Sequence, residues 1–233
     1  MTDGAEPRGL SAIIARTLRE GGDADAVEYH GVWHSWTRLH ALAERLTAIL
    51  AVQCPGETRV GLIVRNNPVV LSAMLGLIAG GYTVVMLHGA QKPERLAGEI
   101  AGLNLPAVLG EEGYWRDDVI AAASEAGALA VVLPDDLCGS PRVIAPQGER
   151  AAIPADPAVA LELLSSGTTG PPKRIPILWR TLELALGTAH GTALFGGNEG
   201  VLSGQSLPPA ISGLSLGNIG GVYMMLPSVL IGQ

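Results

Sequence analysis

Val60-Gly61-Leu62-Ile63-Val64, then Asn67-Pro68, then Gly80-Gly81-Tyr82-Thr83-Val84-Val85-Met86 form the block whose reading decides the fold. The first run is apolar and short, as in a strand covered on both faces. Asn67-Pro68 is a helix start, because proline at the first helical position loses only an N–H that would be unpaired anyway. Gly80-Gly81 stops that helix, and a second apolar strand, Tyr82 to Met86, follows. The uncharged run from Asn66 to Gln91 is long enough to cross a bilayer. These start and stop signals split it into a helix and a strand, so no membrane span is expected.

The same alternation continues outward. Upstream, residues 8–20 repeat apolar side chains on one helical face (Leu10, Ile13, Ile14, Leu18), closed by Gly21-Gly22. Ala26 to Tyr29 and Val32 to Trp36, around His30-Gly31, read as a hairpin, and a helix starts near Thr37 with Leu39, Leu42, Leu46, Ile49 and Leu50 inward. Downstream come a helix over 93–102, a strand over Ala107 to Leu109, a helix through Ile120 to Ala126 and a strand over Ala128 to Leu133. This order predicts an α/β fold with a mostly parallel sheet, helices on both faces and right-handed crossovers.

Gly139 to Pro157 is rich in proline, glycine and charge without periodicity, and reads as a connector. The expected organisation is a first α/β sub-lobe over 1–139, a connector over 140–157 and the start of a second sub-lobe over 158–233. The second sub-lobe would open with a strand (Val159, Leu161, Leu163), then carry a helix from about Leu178 to Leu194 and a strand near Val201-Leu202. Gly200 to Gln233 has no charged residue, but its glycines, Asn218 and Pro227 argue against a spanning helix. Leu214 to Leu216 and Val222 to Leu226 need cover from further polypeptide, another chain or the chain's own packing.

A net charge of −7 over 233 residues argues against nucleic acid or an anionic membrane as the main partner. Aromatic residues at 4% are too sparse for a base-stacking surface. Cys54 and Cys138 lie far apart without metal-ligand spacing and read as reduced thiols. The polar, acidic start of the chain lacks a signal-peptide pattern, so a cytoplasmic location is expected.

The chemistry concentrates in Ser165-Ser166-Gly167-Thr168-Thr169-Gly170-Pro171-Pro172-Lys173, directly after an apolar strand. Glycines let backbone N–H groups approach phosphate oxygens, and successive N–H groups in a turn make an anion-binding concavity. The hydroxyls of Ser165, Ser166, Thr168 and Thr169 add neutral donors, and Lys173 adds a positive point charge. A Walker loop places Lys-Ser/Thr directly after the last glycine, whereas here two prolines intervene and Arg174 follows the lysine. A flexible linker is the bland alternative, but the tight apolar brackets on both sides argue against it.

Ser165 to Lys173 match, residue by residue, the phosphate loop of the AMP-forming adenylate synthetases, which include acyl- and aryl-CoA ligases, luciferases and peptide-synthetase adenylation domains. The chain resembles that family from about Ala26 to Thr181. Trp36-Thr37-Arg38-Leu39 looks like an early family helix, and the Val60 to Val85 block looks like the strand–helix–strand unit that follows it. Where the family has glycine after the lysine, this chain has Arg174, which would place a large cation beside the phosphates.

The resemblance implies a reaction that joins a carboxylic acid to ATP, releases pyrophosphate and passes the acyl group to a thiol such as coenzyme A. It assigns nucleotide binding to Ser165, Ser166, Gly167, Thr168, Thr169, Gly170 and Lys173, with Thr168 and Lys173 also catalytic. Mg²⁺ is expected with the ATP, and no residue here matches the family's metal ligand. The family's adenine, ribose, hinge and lid motifs have no counterpart in this sequence, and Leu207 to Gly213 lacks the histidine or aromatic often found there. The chain therefore reads as the first part of the large N-terminal domain. It is a portion of a ligase, one half of a split ligase completed by a second chain, or a nucleotide- or partner-binding remnant.

Other candidates are weaker. His30, His34, His40, His88 and His190 form no metal motif, and His88 reads as a turn residue. Glu111-Glu112 and Asp135-Asp136 read as solvated turn charges. Trp179 is expected to pack, with Arg180 lending charge to the loop.

Overall fold

The computed structural model describes residues 9–150, 153–165, 173–189 and 212–230. A seven-stranded sheet organises them. Its strands are β3 (Arg59–Val64), β4 (Thr83–His88), β5 (Ala107–Glu111), β6 (Leu129–Leu133), β7 (Arg142–Ala145), β8 (Val159–Ser165) and β9 (Lys173–Leu178), in the order β7-β6-β5-β3-β4-β8-β9. The central five run parallel, while β7 and β9 close the two edges antiparallel. The strands before and after residues 140–157 thus share one sheet, and residues expected only to connect supply β7.

The helices are α1 (Gly9–Glu20), α2 (Trp36–Gln53), α3 (Pro68–Ala79), α4 (Pro93–Leu103), α5 (Asp117–Glu125), α6 (Trp179–Ala189) and α7 (Ile219–Leu230). One core packs α1, α2, α3, α6 and α7 on one face of the sheet, through residues such as Leu42, Met74, Leu182 and Val222 against Leu62 and Met86. The other packs α4 and α5 on the opposite face, through Ile100 and Val119 against Ile63, Val85 and Val108. Helices on both faces of a mostly parallel sheet are what the alternation predicts. A single crossover handedness requires a helix to change face when the strand order reverses. The step from β3 to β4 uses α3, and the reverse step from β4 past β3 to β5 uses α4 on the other face.

Helix α3 explains the long apolar run, for every residue from Pro68 to Ile78 is buried. It lies between the sheet and α2, and its closest approach is Gly76, where an added Cβ would stand 2.7 Å from the Ala43 Cβ. The Ser72 hydroxyl donates to the Leu39 carbonyl at 2.6 Å, so this buried polar group is satisfied by the neighbouring helix. Among the described residues no helix is long and apolar enough to cross a membrane.

The hairpin β1 (Asp25–Tyr29) and β2 (Val32–Ser35) turns through His30 and Gly31, with φ of 52° and 81°. Two consecutive positive φ values make the turn twist with the strands, and glycine bears one of them without strain. Helix α7 forms despite Gly220, Gly221 and Pro227. The Asn218 side chain accepts from Gly221 N at 2.9 Å as its cap, and Val222 and Leu226 are buried in the same core as α1 and α6. The chain's own packing therefore covers this part of the apolar tail. The expected strand near Val201-Leu202 and the helix beyond Ala189 lie outside the described residues.

Candidate functional site

The connection leaving β3 goes to one face of the sheet, while those leaving β4 and β5, on either side of it, go to the other. The carboxyl end of β3 is therefore the topological switch point, where connections diverge and leave a crevice for ligands. Arg65, Asn66 and Asn67 follow β3 there, and His88, Gly89 and Ala90 close β4.

Polar side chains arrange these loops. Asn66 donates through Nδ2 to the Leu214 carbonyl and accepts through Oδ1 from Leu216 N, both at 2.8 Å. This two-point clamp seats residues 214–217 beside the ends of β3 and β4. Asn67 caps α3 by accepting from Val70 N at 2.9 Å, while its Nδ2 donates to Glu111 Oε1 at 2.9 Å. Glu111 is half-buried and bound, which corrects its reading as a solvated turn charge. His88 accepts through Nδ1 from Ala90 N at 3.1 Å, in keeping with a turn residue. Burial pushes the Tyr114 hydroxyl above its ordinary pKa of 10.0, with Arg65 opposing and Glu111 reinforcing the shift.

β8 adds to this end of the sheet. Met86 pairs with Leu163, and on the other side Ser165 pairs with Lys173 and Leu164 with Arg174. The paired ends Ser165 and Lys173 thus bracket Ser166, Gly167, Thr168, Thr169 and Gly170, which lie outside the described residues together with Pro171 and Pro172. Lys173 is exposed at the root of this segment and has no carboxylate partner among the described residues.

Arg174 does not simply join Lys173. Strand alternation puts consecutive side chains on opposite faces, and Arg174 NH1 lies 3.6 Å from Glu162 Oε2. Glu162 is already held by Arg59 through two 2.8 Å contacts, Nε to Oε1 and NH2 to Oε2. Sequence reading missed Glu162, although an isolated carboxylate in an otherwise apolar strand is a signal for a buried cation nearby.

The other candidates fall into structural roles. Asp136 Oδ1 accepts from Cys138 N and Gly139 N at 2.8 Å each, a self-contained turn, and Glu112 pairs with exposed Arg142. Glu112, Asp136, Gly139 and Arg142 border a cleft of about 320 Å³ at the end of β6. Trp179 is buried, while Arg180 lines a shallow cleft beside α6 with Leu178 and Glu183. Cys54 is buried and Cys138 exposed, both as free thiols. Among the described residues no group of three histidine, cysteine or carboxylate side chains is placed to hold a metal ion.

The family model for AMP-binding enzymes matches residues 14–233. This chain belongs to that family. It is 32% identical over 143 residues to the medium/long-chain-fatty-acid–CoA ligase FadD6 of Mycobacterium tuberculosis, an alignment covering 58% of this chain and 23% of the ligase. Among solved structures, apo MatB from Rhodopseudomonas palustris superposes with a TM-score of 0.66 at 20% identity, over 95% of this chain and 44% of that one. The o-succinylbenzoate coenzyme A synthetase MenE of Bacillus subtilis, in complex with AMP, gives 0.64 at 16% identity, over 95% and 54%. These structures share the AMP-binding enzymes' α/β fold, and the chain spans about half their length or less.

Proposed function

We propose that this chain is the nucleotide-phosphate-binding part of an AMP-forming acid–thiol ligase, which activates a carboxylic acid as its acyl-adenylate. The observation that carries this reading is the family match across the Ser165–Lys173 segment, together with the β8–β9 pairing that brings Ser165 and Lys173 opposite each other at the carboxyl end of β8, with β4 between them and β3. The AMP in the MenE complex and the ligase FadD6 support the nucleotide and the reaction class.

The chemistry is an in-line attack of a carboxylate oxygen on the α-phosphorus of ATP. A bond forms from that oxygen to phosphorus, and the bond to the bridging oxygen breaks, releasing pyrophosphate. Carboxylate and triphosphate are both anions, so the protein's task is to hold them together and stabilise the departing pyrophosphate. Lys173, exposed at the root of the segment, would neutralise phosphate charge. Thr168, Thr169 and the Gly167 and Gly170 amides would donate to β- and γ-oxygens, with Ser165 and Ser166 completing the loop. Mg²⁺ would arrive as the counter-ion of the triphosphate. A thiol, coenzyme A in the simplest case, would then displace AMP and yield a thioester.

In this reading residues 158–233 begin a second sub-lobe anchored to the first by the β4–β8 ladder, and the lid that completes turnover lies elsewhere in a longer or second chain. The site of action is the cytoplasm, where ATP and coenzyme A are available. Acid-dependent exchange of pyrophosphate into ATP tests the reading with the protein isolated from its source, together with whatever chain co-purifies. Exchange that appears only with a carboxylic acid supports the ligase. Nucleotide binding without exchange for any acid assigns the chain to a binding role instead.

A further inference from the structure

We propose that Tyr114 is a gate: its ring bars the crevice at the carboxyl end of β3 and swings aside to admit an oxyanion, which Arg65 and the freed phenol then hold. This place is separate from the Ser165–Lys173 pairing, which has β4 between it and β3, and the gate stands apart from the ligase reading.

Tyr114 is rooted on the short 3₁₀ turn Glu112–Tyr114 that follows β5. Its hydroxyl ends at Gly89, after β4. A Cβ added to Gly89 would stand 2.4 Å from Tyr114 Oη, 2.7 Å from the Val64 carbonyl oxygen and 3.0 Å from Arg65 Cγ. In the sheet β3 lies between β5 and β4. The side chain therefore crosses the end of β3, the switch point, where diverging connections leave room for a ligand. Glycine at position 89 is what lets the phenol come so close.

Closing the crevice in this way is costly. Tyr114 Oη is shielded from solvent and has no hydrogen-bond partner among the described residues, and the same holds for Glu111 Oε2. A buried hydroxyl without a partner loses its hydration and gains nothing in return. Opening restores a partner to it, which narrows the free-energy gap between closed and open states, as gating requires. The turn has a fixed base and a free side. Trp115 is buried and donates through Nε1 to the Gly110 carbonyl at 3.0 Å, while Gly113 has nothing within 4 Å of an added Cβ.

Arg65 sets the chemistry of the ligand. It is exposed, and among the described residues it forms no ion pair. Burial is the main influence on the Tyr114 hydroxyl, and of the two charges that follow, Arg65 outweighs Glu111. A guanidinium and a phenol are both donors, a set that suits a phosphate-type oxyanion. With the ring in place only Arg65 is on offer, and with the ring out both are. An oxyanion therefore favours the open state.

The test nitrates the full native chain with tetranitromethane at pH 8 and reads each tyrosine by peptide mass. Tyr29, 37% exposed, is the free-ring reference, and alkylation of buried Cys54 reports global unfolding. Tyr114 should react more slowly than Tyr29 and at a rate that urea leaves unchanged, whereas about 1 M urea should speed Cys54 labelling roughly tenfold. Local opening exposes too little surface for urea to act on. Tyr114 reacting as fast as Tyr29 means that nothing is barred. Tyr114 rising with Cys54, or not reacting at all, makes it ordinary packing. Each of these results overturns the proposal.

Inorganic phosphate is the ligand probe. At matched ionic strength it should speed Tyr114 nitration about threefold over chloride, and Arg65→Met should abolish that gain. A gain that is absent from the native chain, or that survives Arg65→Met, overturns the proposal. Lys173→Ala should leave the gain intact. If it removes the gain instead, phosphate acts through the Ser165–Lys173 segment and the gate is overturned, while pyrophosphate exchange still decides the ligase reading by itself.

Discussion

Arg59 and Glu162 form a two-point ion pair that spans the sheet from β3 to β8, with both contacts at 2.8 Å and neither side chain more than 12% exposed. The third donor of Arg59 goes to the Leu103 carbonyl at the end of α4, so one guanidinium ties two strands and a helix. Removing one partner leaves the other charge buried. Arg59→Ala is therefore expected to cost about 3–5 kcal/mol in urea unfolding. The paired change Arg59→Met with Glu162→Leu should recover most of that loss, because apolar groups of similar volume need no counter-charge.

A second prediction concerns the contact between α2 and α3. An added Cβ at Gly76 would lie 2.7 Å from Ala43 Cβ and 3.0 Å from its Cα, a backbone atom that cannot rotate away. Gly76→Ala should destabilise the fold by about 1–3 kcal/mol despite alanine's better helix propensity. Gly98, with nothing within 4 Å of its added Cβ, provides the control. Gly98→Ala should be neutral or stabilising in the same denaturation series.

Asn67 tests the switch point. Its side chain caps α3 and also holds Glu111. Asn67→Asp keeps the cap but sets a second carboxylate beside Glu111, whereas Asn67→Ala loses both contacts. Asn67→Ala should cost about 1–2 kcal/mol. Asn67→Asp, which exchanges the amide donated to Glu111 for a like charge, should also be destabilised in the same urea series.

The two thiols should differ sharply. Burial pushes the Cys54 thiol from 9.0 to about 11, with Glu57 adding to the shift and Arg150 opposing it. Cys138 is exposed. A thiol reagent at pH 8 should therefore modify Cys138 quickly and Cys54 only after unfolding. Because the folded pKa is the higher one, the native state favours the protonated thiol. That contribution to stability is present below pH 9 and is lost as pH rises through about 11. Burial of Tyr82 and Tyr114 acts in the same direction. Denaturation midpoints measured across pH 8 to 11 should fall, and Cys54→Ser should flatten that fall.

The interior of the fold was legible because buried parallel strands and capped helices leave plain marks. Val60 to Val64, Asn67-Pro68 and Gly80-Gly81 predict β3, α3 and β4 with bounds close to those found. The edges were harder to read. β7 is short and half exposed, and β9 carries Pro176, which disfavours a strand except at an edge where a missing N–H disturbs no further neighbour. In α7, tertiary burial of Val222 and Leu226 and the Asn218 cap outweigh two glycines and Pro227. At the site, the composition of residues 165–173 marks the phosphate chemistry. The partners Glu162 and Arg59 are far apart in sequence and look like ordinary strand residues until β4 brings them together.

The most direct test of the central claim is calorimetric titration of Mg·ATP into the full native chain and into the double variant Thr168→Ala, Lys173→Ala. The account predicts that the native chain binds and that the double variant loses at least tenfold in affinity while keeping its denaturation midpoint. Equal affinity in a folded double variant would contradict it.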